Sequence, residues 1–229
     1  MFTDFDFDVI QRALPYLWQG MMFTLGLTAL AMAGGIVLGT LLALMRLSSV
    51  KAISIPAGAY VNLLRSTPLI LVIFWFYFLV PIAIKYVSGD SYAQGIGPFH
   101  SALIAFTLFE AAYYCEVIRA GIQSVPAGQV SAANALGLNY WQSTILIVLP
   151  QAFRNMVPIL LTQGIILFQD TSLVYVVGLT DFMGAASKVA QRDGRLVEMY
   201  LFAAVVYFIL CFLASYFVKR LQLRITPPR

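Results

Sequence analysis

Three carboxylates stand in stretches too apolar to have been built for water. Glu110 and Glu116 lie in "HSALIAFTLFEAAYYCEVIRAGI", and Asp170 lies in "LLTQGIILFQDTSLVYVV". An ionisable group inside a membrane span is costly, and its default reading is a functional one. Glu110 falls about eleven residues into its apolar run, near the middle of a bilayer at about 1.5 Å per residue. Glu116 sits about 9 Å further along the same helix. Arg119 follows Glu116 by three residues on the same face, so an ion pair between them is expected. Asp170, Thr171 and Ser172 in succession can cap a helix N-terminus. The span holding them is therefore expected to break there, exposing free N–H groups and a positive dipole end suited to a carboxylate ligand. Gln163 and Gln169 precede Asp170 and can hydrogen-bond such a ligand. Glu110, Glu116, Gln163, Gln169, Asp170, Thr171 and Ser172 are the candidate substrate path.

Other chemistry is excluded by residue type. No lysine follows a glycine, so the chain has no phosphate-cradling P-loop, and no bound ATP is expected in it. His100 is the sole histidine, which rules out a two-histidine zinc motif, and no metal site is expected. Cys115 and Cys211 both fall in apolar runs and make no disulfide framework.

The elements that must carry these groups follow from composition. The chain has 229 residues, 61% hydrophobic and 10% charged. A soluble domain carries about 25% charged residues, so the solvent here is lipid. The formal charge of +4 then marks the ends of spans rather than a nucleic-acid surface, since no basic run is interleaved with exposed aromatics. A helix crosses the hydrocarbon in about 20 residues. Charges divide the chain into five such stretches, near 18–45, 67–86, 99–119, 153–176 and 198–219. The expectation is an all-α integral membrane protein of about five transmembrane helices. It forms one domain over 1–229, with a membrane core over 18–219. Gly20, Gly26, Gly34, Gly35 and Gly39 lie in the first stretch and read as helix-packing residues. Arg65-Ser66-Thr67-Pro68 opens the second, with Arg65 at the boundary.

Five spans put the termini on opposite sides. With the N-terminus outside, Arg46, Lys51, Arg65, Arg119, Arg154, Lys219, Arg220, Arg224 and Arg229 fall inside. Only Arg12, Lys85, Lys188, Arg192 and Arg195 fall outside. The bias favours an N-out, C-in orientation. It also puts residues 120–152 in the cytoplasm.

That segment carries no charge from Ala120 to Phe153, a run of 34 residues, yet it is rich in Ser, Asn, Gln, Gly and Pro. Gly128 follows a Ser124–Pro126 turn. Ala132, Ala133 and Ala135 give a short helix a small-residue face. Gly137 stops that helix, because C-terminal caps favour a left-handed residue. Asn139 caps a second helix from about Tyr140, which is expected to end before Pro150, since proline disfavours the helical conformation at Leu149. An uncharged surface of this kind on a cytoplasmic loop reads as an interaction site.

The spacing "SAANALGLNYWQSTILIVLP" resembles the cytoplasmic EAA loop of ABC-importer permeases. Ala132, Ala133, Gly137, Ile147, Leu149 and Pro150 stand at the matching positions, and Ser131 replaces the motif's first glutamate. "AYVNLLRSTPLILVIFWFYF", "FEAAYYCEVIRAGIQSVPAGQ" and "FQDTSLVYVVGL" are similar to the polar amino-acid branch. "LLTQGIILFQDTSLVYV" and "QRDGRLVEM" look most like its glutamate/aspartate permeases. The resemblance implies a type I (MetI-like) permease subunit in a bacterial inner membrane. It implies a second permease chain, related but not identical, and two cytoplasmic ATPase subunits that bind ATP and Mg. A periplasmic amino-acid-binding protein completes the set. An amino acid carries an ammonium as well as a carboxylate, and Glu110 or Asp170 could pair with it. The resemblance also makes Arg65 a candidate interhelix or inter-subunit contact. A competing reading is an ion-coupled secondary amino-acid transporter that titrates Glu110 or Asp170; it has no use for a docking loop.

Overall fold

The computed structural model describes residues 5–89 and 96–225, and the described part is helical throughout. Arg229, one of the charges assigned to the inside, lies outside the described residues. The first helix, α1, runs Phe7–Leu47. At about 1.5 Å per residue its 41 residues reach about 60 Å, twice the hydrocarbon thickness. The expected span near 18–45 is thus part of one continuous rod that already starts at Phe7. It passes Pro15, whose ring sits exposed on the helix surface. Asp6 caps its start by accepting from the Asp8 N–H at 2.9 Å.

The buried positions of α1 recur about every fourth residue: Val9, Ala13, Leu17, Met21, Thr24, Leu27, Ala31, Gly35, Gly39 and Ala43. Such a stripe makes a single ridge along the helix. Its second half is small, and it packs along α5 (Pro98–Gln123). A methyl group at Gly39 would stand 2.7 Å from the Tyr114 Cβ and 3.0 Å from the Ala111 carbonyl oxygen. Only a bare backbone allows α1 and α5 to lie this close. Gly34 and Gly35 make similar contacts with Thr107, Glu110 and Tyr114, so three of the five glycines are packing residues against α5. A methyl at Gly26 would touch nothing among the described residues.

After α1, α2 (Lys51–Arg65) lies against α1 and α5, burying Ala57, Val61 and Leu64. Its Tyr60 hydroxyl donates to the Leu108 carbonyl at 2.8 Å. The second span is α3 (Leu69–Phe74), a π-helical turn (Trp75–Leu79) and α4 (Val80–Ser88) in succession. Past α5 come two short helices, α6 (Ala127–Ala135) and α7 (Tyr140–Ser143). A second π-helical turn (Thr144–Val148) joins α7 to α8 (Leu149–Asp170). A 3₁₀ helix (Thr171–Val177), α9 (Phe182–Asp193) and α10 (Leu196–Ile225) complete the chain.

Among the described residues, five helical runs are long and apolar enough to cross a membrane: Phe7–Leu47, Leu69–Ser88, Pro98–Gln123, Tyr140–Val177 and Leu196–Ile225. The fourth corrects an expectation. The helix begun at Tyr140 does not end before Pro150, and Leu149 is helical (φ −59°, ψ −46°). The π turn lets the chain pass the proline, whose ring would otherwise collide with the carbonyl four residues earlier. Pro81 stands at the same distance beyond the first π turn as Pro150 does beyond the second. The uncharged segment 120–152 is accordingly shared among five elements: Ala120–Gln123 finish α5, α6, α7 and the second π turn lie within 127–148, and Leu149 opens α8.

The helices sort the ends of the molecule. α1 and α5 run parallel, since Gly35 meets Glu110 and Gly39 meets Cys115. α8 runs antiparallel to them, since Gly121 meets Met156. One end therefore gathers the C-termini of α1, α2 and α5 with α6 and α7. The other end holds α9 against the N-terminal half of α1.

Candidate functional site

At the α6–α7 end, three arginines converge on one carboxylate. The Glu116 Oε2 accepts from Arg119 Nη2 at 2.7 Å and Nε at 3.0 Å. The Glu116 Oε1 accepts from Arg46 Nη1 of α1, and Arg65 Nη1 of α2 stands 3.7 Å from the same oxygen. Arg65 also lies over the Tyr113 ring, 5.5 Å from its centre. Arg46 and Arg65 each belong to the last turn of their helix, where the backbone presents about half a negative charge. Glu116 and these helix ends together answer most of the arginine charge. The expected pair with Arg119 is present, and Arg65 makes an interhelix contact. Arg46, which sequence reasoning took only as a boundary charge, is the added partner.

Glu110 is separate from this cluster. It is fully buried, and its Oε1 accepts from Gln163 Nε2 of α8 at 3.3 Å. Its Oε2 has no hydrogen-bond partner among the described residues. Asp170 follows Gln163 by seven residues, two helical turns along the same face of α8. It is half-buried, while Gln169 is exposed. The structure thus joins Glu110 with Gln163, sets Asp170 about 10 Å along the same face by helical rise, and parts all three from Glu116.

The expected helix N-terminus at Asp170 is absent. Asp170 is the last residue of α8, and its side chain makes no cap. The backbone continues into the 3₁₀ helix, and the buried Thr171 hydroxyl donates back to the Phe168 carbonyl at 2.7 Å. Tightening from four-residue to three-residue hydrogen bonds keeps the chain winding, so no free N–H row opens there. Ser172 is half-buried just beyond it.

A buried, capped helix N-terminus instead opens α9, and the sequence reading missed it. Asp181 is fully buried and accepts from the Met183 and Gly184 N–H groups at 3.0 and 2.9 Å. The Phe182 N–H donates to the Thr24 hydroxyl of α1 at 3.0 Å. An aspartate just before "FMGAASKVA" was the available signal. Burial pushes the Asp181 carboxyl up to about 6, against the pull of the two N–H groups and Lys188. Because the folded state holds this proton more tightly than the unfolded chain, its contribution to stability is full below about pH 4 and declines as pH rises toward 6. We expect thermal unfolding of the purified chain to gain a few degrees between pH 7.5 and pH 5 relative to Asp181→Asn. Equal pH profiles for the two would contradict the assignment.

In the α6–α7 segment, Gly137 has φ +82°. Leu138 N–H donates to the Ala133 carbonyl and Gly137 N–H to the Asn134 carbonyl, at 3.1 and 3.0 Å. This is a left-handed helix stop with both of its bonds made. Asn139 and Gln142 cap α7 reciprocally, each side chain bonding the other's N–H at 2.9 Å. Gly128, Ser131, Ala132, Gly137 and Pro150 are exposed, Ile147 and Leu149 are half-buried, and Ala133 is buried. Leu136, Tyr140 and Trp141 are 82%, 74% and 69% exposed. The segment thus presents a continuous, uncharged and largely apolar face beyond the end of the bundle.

The chain matches known proteins over nearly its whole length. Residues 35–227 match the family described as the binding-protein-dependent transport system inner membrane component. The chain belongs to that family. It is a multi-pass membrane protein and a polar amino-acid ABC permease. It is 54% identical over 221 residues to the glutamate/aspartate import permease protein GltK of Escherichia coli O6:H1 (strain CFT073), covering 96% of this chain and 98% of that protein. Its fold matches the crystal structure of an amino acid ABC transporter with histidines, at TM-score 0.86 and 30% identity over 96% of this chain and 98% of that one. It also matches an inward-facing structure of the MetNI methionine ABC transporter, at TM-score 0.73 and 20% identity, covering 93% and 97%. The fold is that of type I, MetI-like permeases.

Proposed function

We propose that this chain is the membrane-spanning subunit of an ATP-driven importer for glutamate or aspartate in a bacterial inner membrane. The observation that carries the substrate reading is the end-to-end 54% identity to a glutamate/aspartate import permease. The geometry supports it with a path of mixed polarity. Glu110 and Asp170 can pair with the ammonium of an amino acid, while Gln163, Gln169 and Ser172 can donate to its carboxylates. The α6–α7 face is the docking surface for a cytoplasmic ATPase, and the orientation is N-out, C-in. A related, non-identical permease forms the other half of the membrane unit. Two ATPase subunits bind ATP and Mg, and a periplasmic binding protein delivers the amino acid. Family membership weighs against an ion-coupled carrier.

In vesicles containing the whole importer, uptake of labelled glutamate should require ATP on the ATPase side. Asp170→Ala should lower that uptake roughly tenfold or shift preference toward a neutral amino acid, because taking away one good polar partner in a buried site costs about 1–3 kcal/mol. ATPase subunits should remain bound. Unchanged uptake kinetics would remove Asp170 from the path.

A further inference from the structure

Glu110, Gln163 and Asp170 bring two carboxylates and one amide to the path, while glutamate and aspartate each carry a net negative charge at neutral pH. The ligand's ammonium can answer one carboxylate; the remaining negative charge calls for a cation. The antiparallel course of α5 and α8 fixes the order of these groups. Asp170 lies nearest the α9 end, and Glu110 with Gln163 comes next. Tyr113 follows Glu110 by three residues on the same face of α5, about 4.5 Å further toward the α6–α7 end. The Arg65 guanidinium lies over that Tyr113 ring, 5.5 Å from its centre.

The three arginines around Glu116 differ in the donors they have left. Arg119 directs Nε and Nη2 to Glu116 and Nη1 to Gln123, the last at 2.6 Å. Arg46 donates to Glu116 and has only 18% of its side chain exposed. The Arg65 side chain is 42% exposed, stands 3.7 Å from Glu116 Oε1 and donates no hydrogen bond among the described residues. The ring and the long ion pair hold it in place, and its planar fork of N–H donors is unused. That fork is the group that receives a carboxylate through two parallel bonds.

We infer that Arg65 is the station for a substrate carboxylate on the α6–α7 side of Glu110. The inference rests on the glutamate/aspartate reading of the path and supplies the cation that reading needs. The amino acid has two carboxylates, one on its α-carbon and one on its side chain, and the fork can seat either. The order of charges gives the path a direction. The two carboxylates come first and hold the ammonium; the guanidinium comes last and draws the anion toward the α6–α7 end. Glu116, already beside Arg65, takes the fork back when the ligand leaves.

The test titrates glutamate and glutamine calorimetrically into the ATP-free importer in detergent, without the binding protein, and records thermal unfolding of the same samples. Arg65→Gln should weaken glutamate binding roughly tenfold, because a charged hydrogen-bonding partner is lost. Unfolding should stay close to that of the parent, since the contact with Glu116 is long and exposed. Arg65→Lys keeps the charge without the planar fork and should recover part of the loss. A loss confined to glutamate assigns Arg65 to the side-chain carboxylate; an equal loss for glutamine assigns it to the α-carboxylate. Unchanged binding of both ligands would overturn the inference. So would a loss that follows a lowered unfolding temperature and is not recovered by lysine. Glutamate uptake by parent vesicles separates the two readings. If the parent takes up glutamate and Arg65→Gln binds it equally well, only the role of Arg65 falls. If the parent takes up neither glutamate nor aspartate, the substrate reading falls and Arg65 with it.

Discussion

Gly137→Val is expected to reach the membrane in near-normal amount and to carry substrate at roughly a tenth of the parent rate or less. The reason is local. Gly137 holds φ +82°, and a side chain there would meet nothing within 4 Å, so the whole penalty is backbone conformation. A left-handed residue with a Cβ costs about 1–2 kcal/mol, and β-branching adds to it. The cheapest escape is to undo the stop, which removes the bonds from Leu138 and Gly137 to Ala133 and Asn134 and opens the angle between α6 and α7. The bundle itself is untouched, because Gly137 lies beyond the helices that pack it. ATP hydrolysis should therefore persist while uptake falls. Gly137→Asn separates conformation from surface chemistry, since asparagine tolerates the left-handed region and brings no charge; it should retain most uptake. Gly137→Asp keeps that tolerance but places a charge on an uncharged face, and it should uncouple. If Gly137→Val transports normally, the bend does not transmit the ATPase stroke.

Glu116→Ala is expected to lower the yield of folded protein more than Gly137→Val or Asp170→Ala. It leaves Arg46, Arg65 and Arg119 without the carboxylate they share. Removing one member of a well-buried ion pair costs about 3–5 kcal/mol. Glu116 and Arg46 each keep 18% exposure of their side chains, so about 2–3 kcal/mol is the reasonable figure here. Thermal unfolding in detergent should report it. Arg65→Ala should cost far less, because its side chain is 42% exposed and its contact is long at 3.7 Å. A Glu116→Ala variant as stable as the parent would mean that the cluster contributes little to joining α1, α2 and α5.

The five spans were legible because hydropathy over about 20 residues is a summed signal that no single residue can overturn. The stop at Gly137 and the cap at Asn139 were legible because caps are local. What escaped was long-range or depended on context. Arg46 and Glu116 are 70 residues apart, and a boundary arginine carries no mark of its partner. Asp181 resembles any loop aspartate until α1 covers it. Pro150 was read by its local effect alone, whereas a π turn just upstream absorbs it. The break sought at Asp170 is real as a change of winding, but a 3₁₀ continuation cannot be told from a fresh helix start by the residues Asp-Thr-Ser. Glu110 and Gln163 could both be named from the sequence; their mutual hydrogen bond required knowing how α5 and α8 cross.

The unbroken winding from Tyr140 to Val177 has a mechanical consequence. A flexible hinge at Pro150 would let α7 swing while the segment holding Gln163 and Asp170 stayed still. A helical shaft does not swing at its middle; it twists or it slides. Its soft point is the π turn, which stores a single surplus residue. Drawing that surplus out would rotate everything beyond it by about 100° and advance it by about 1.5 Å. A torque delivered at the α6–α7 bend would thus reach Gln163 and Asp170 as a change of which face α8 turns toward α5.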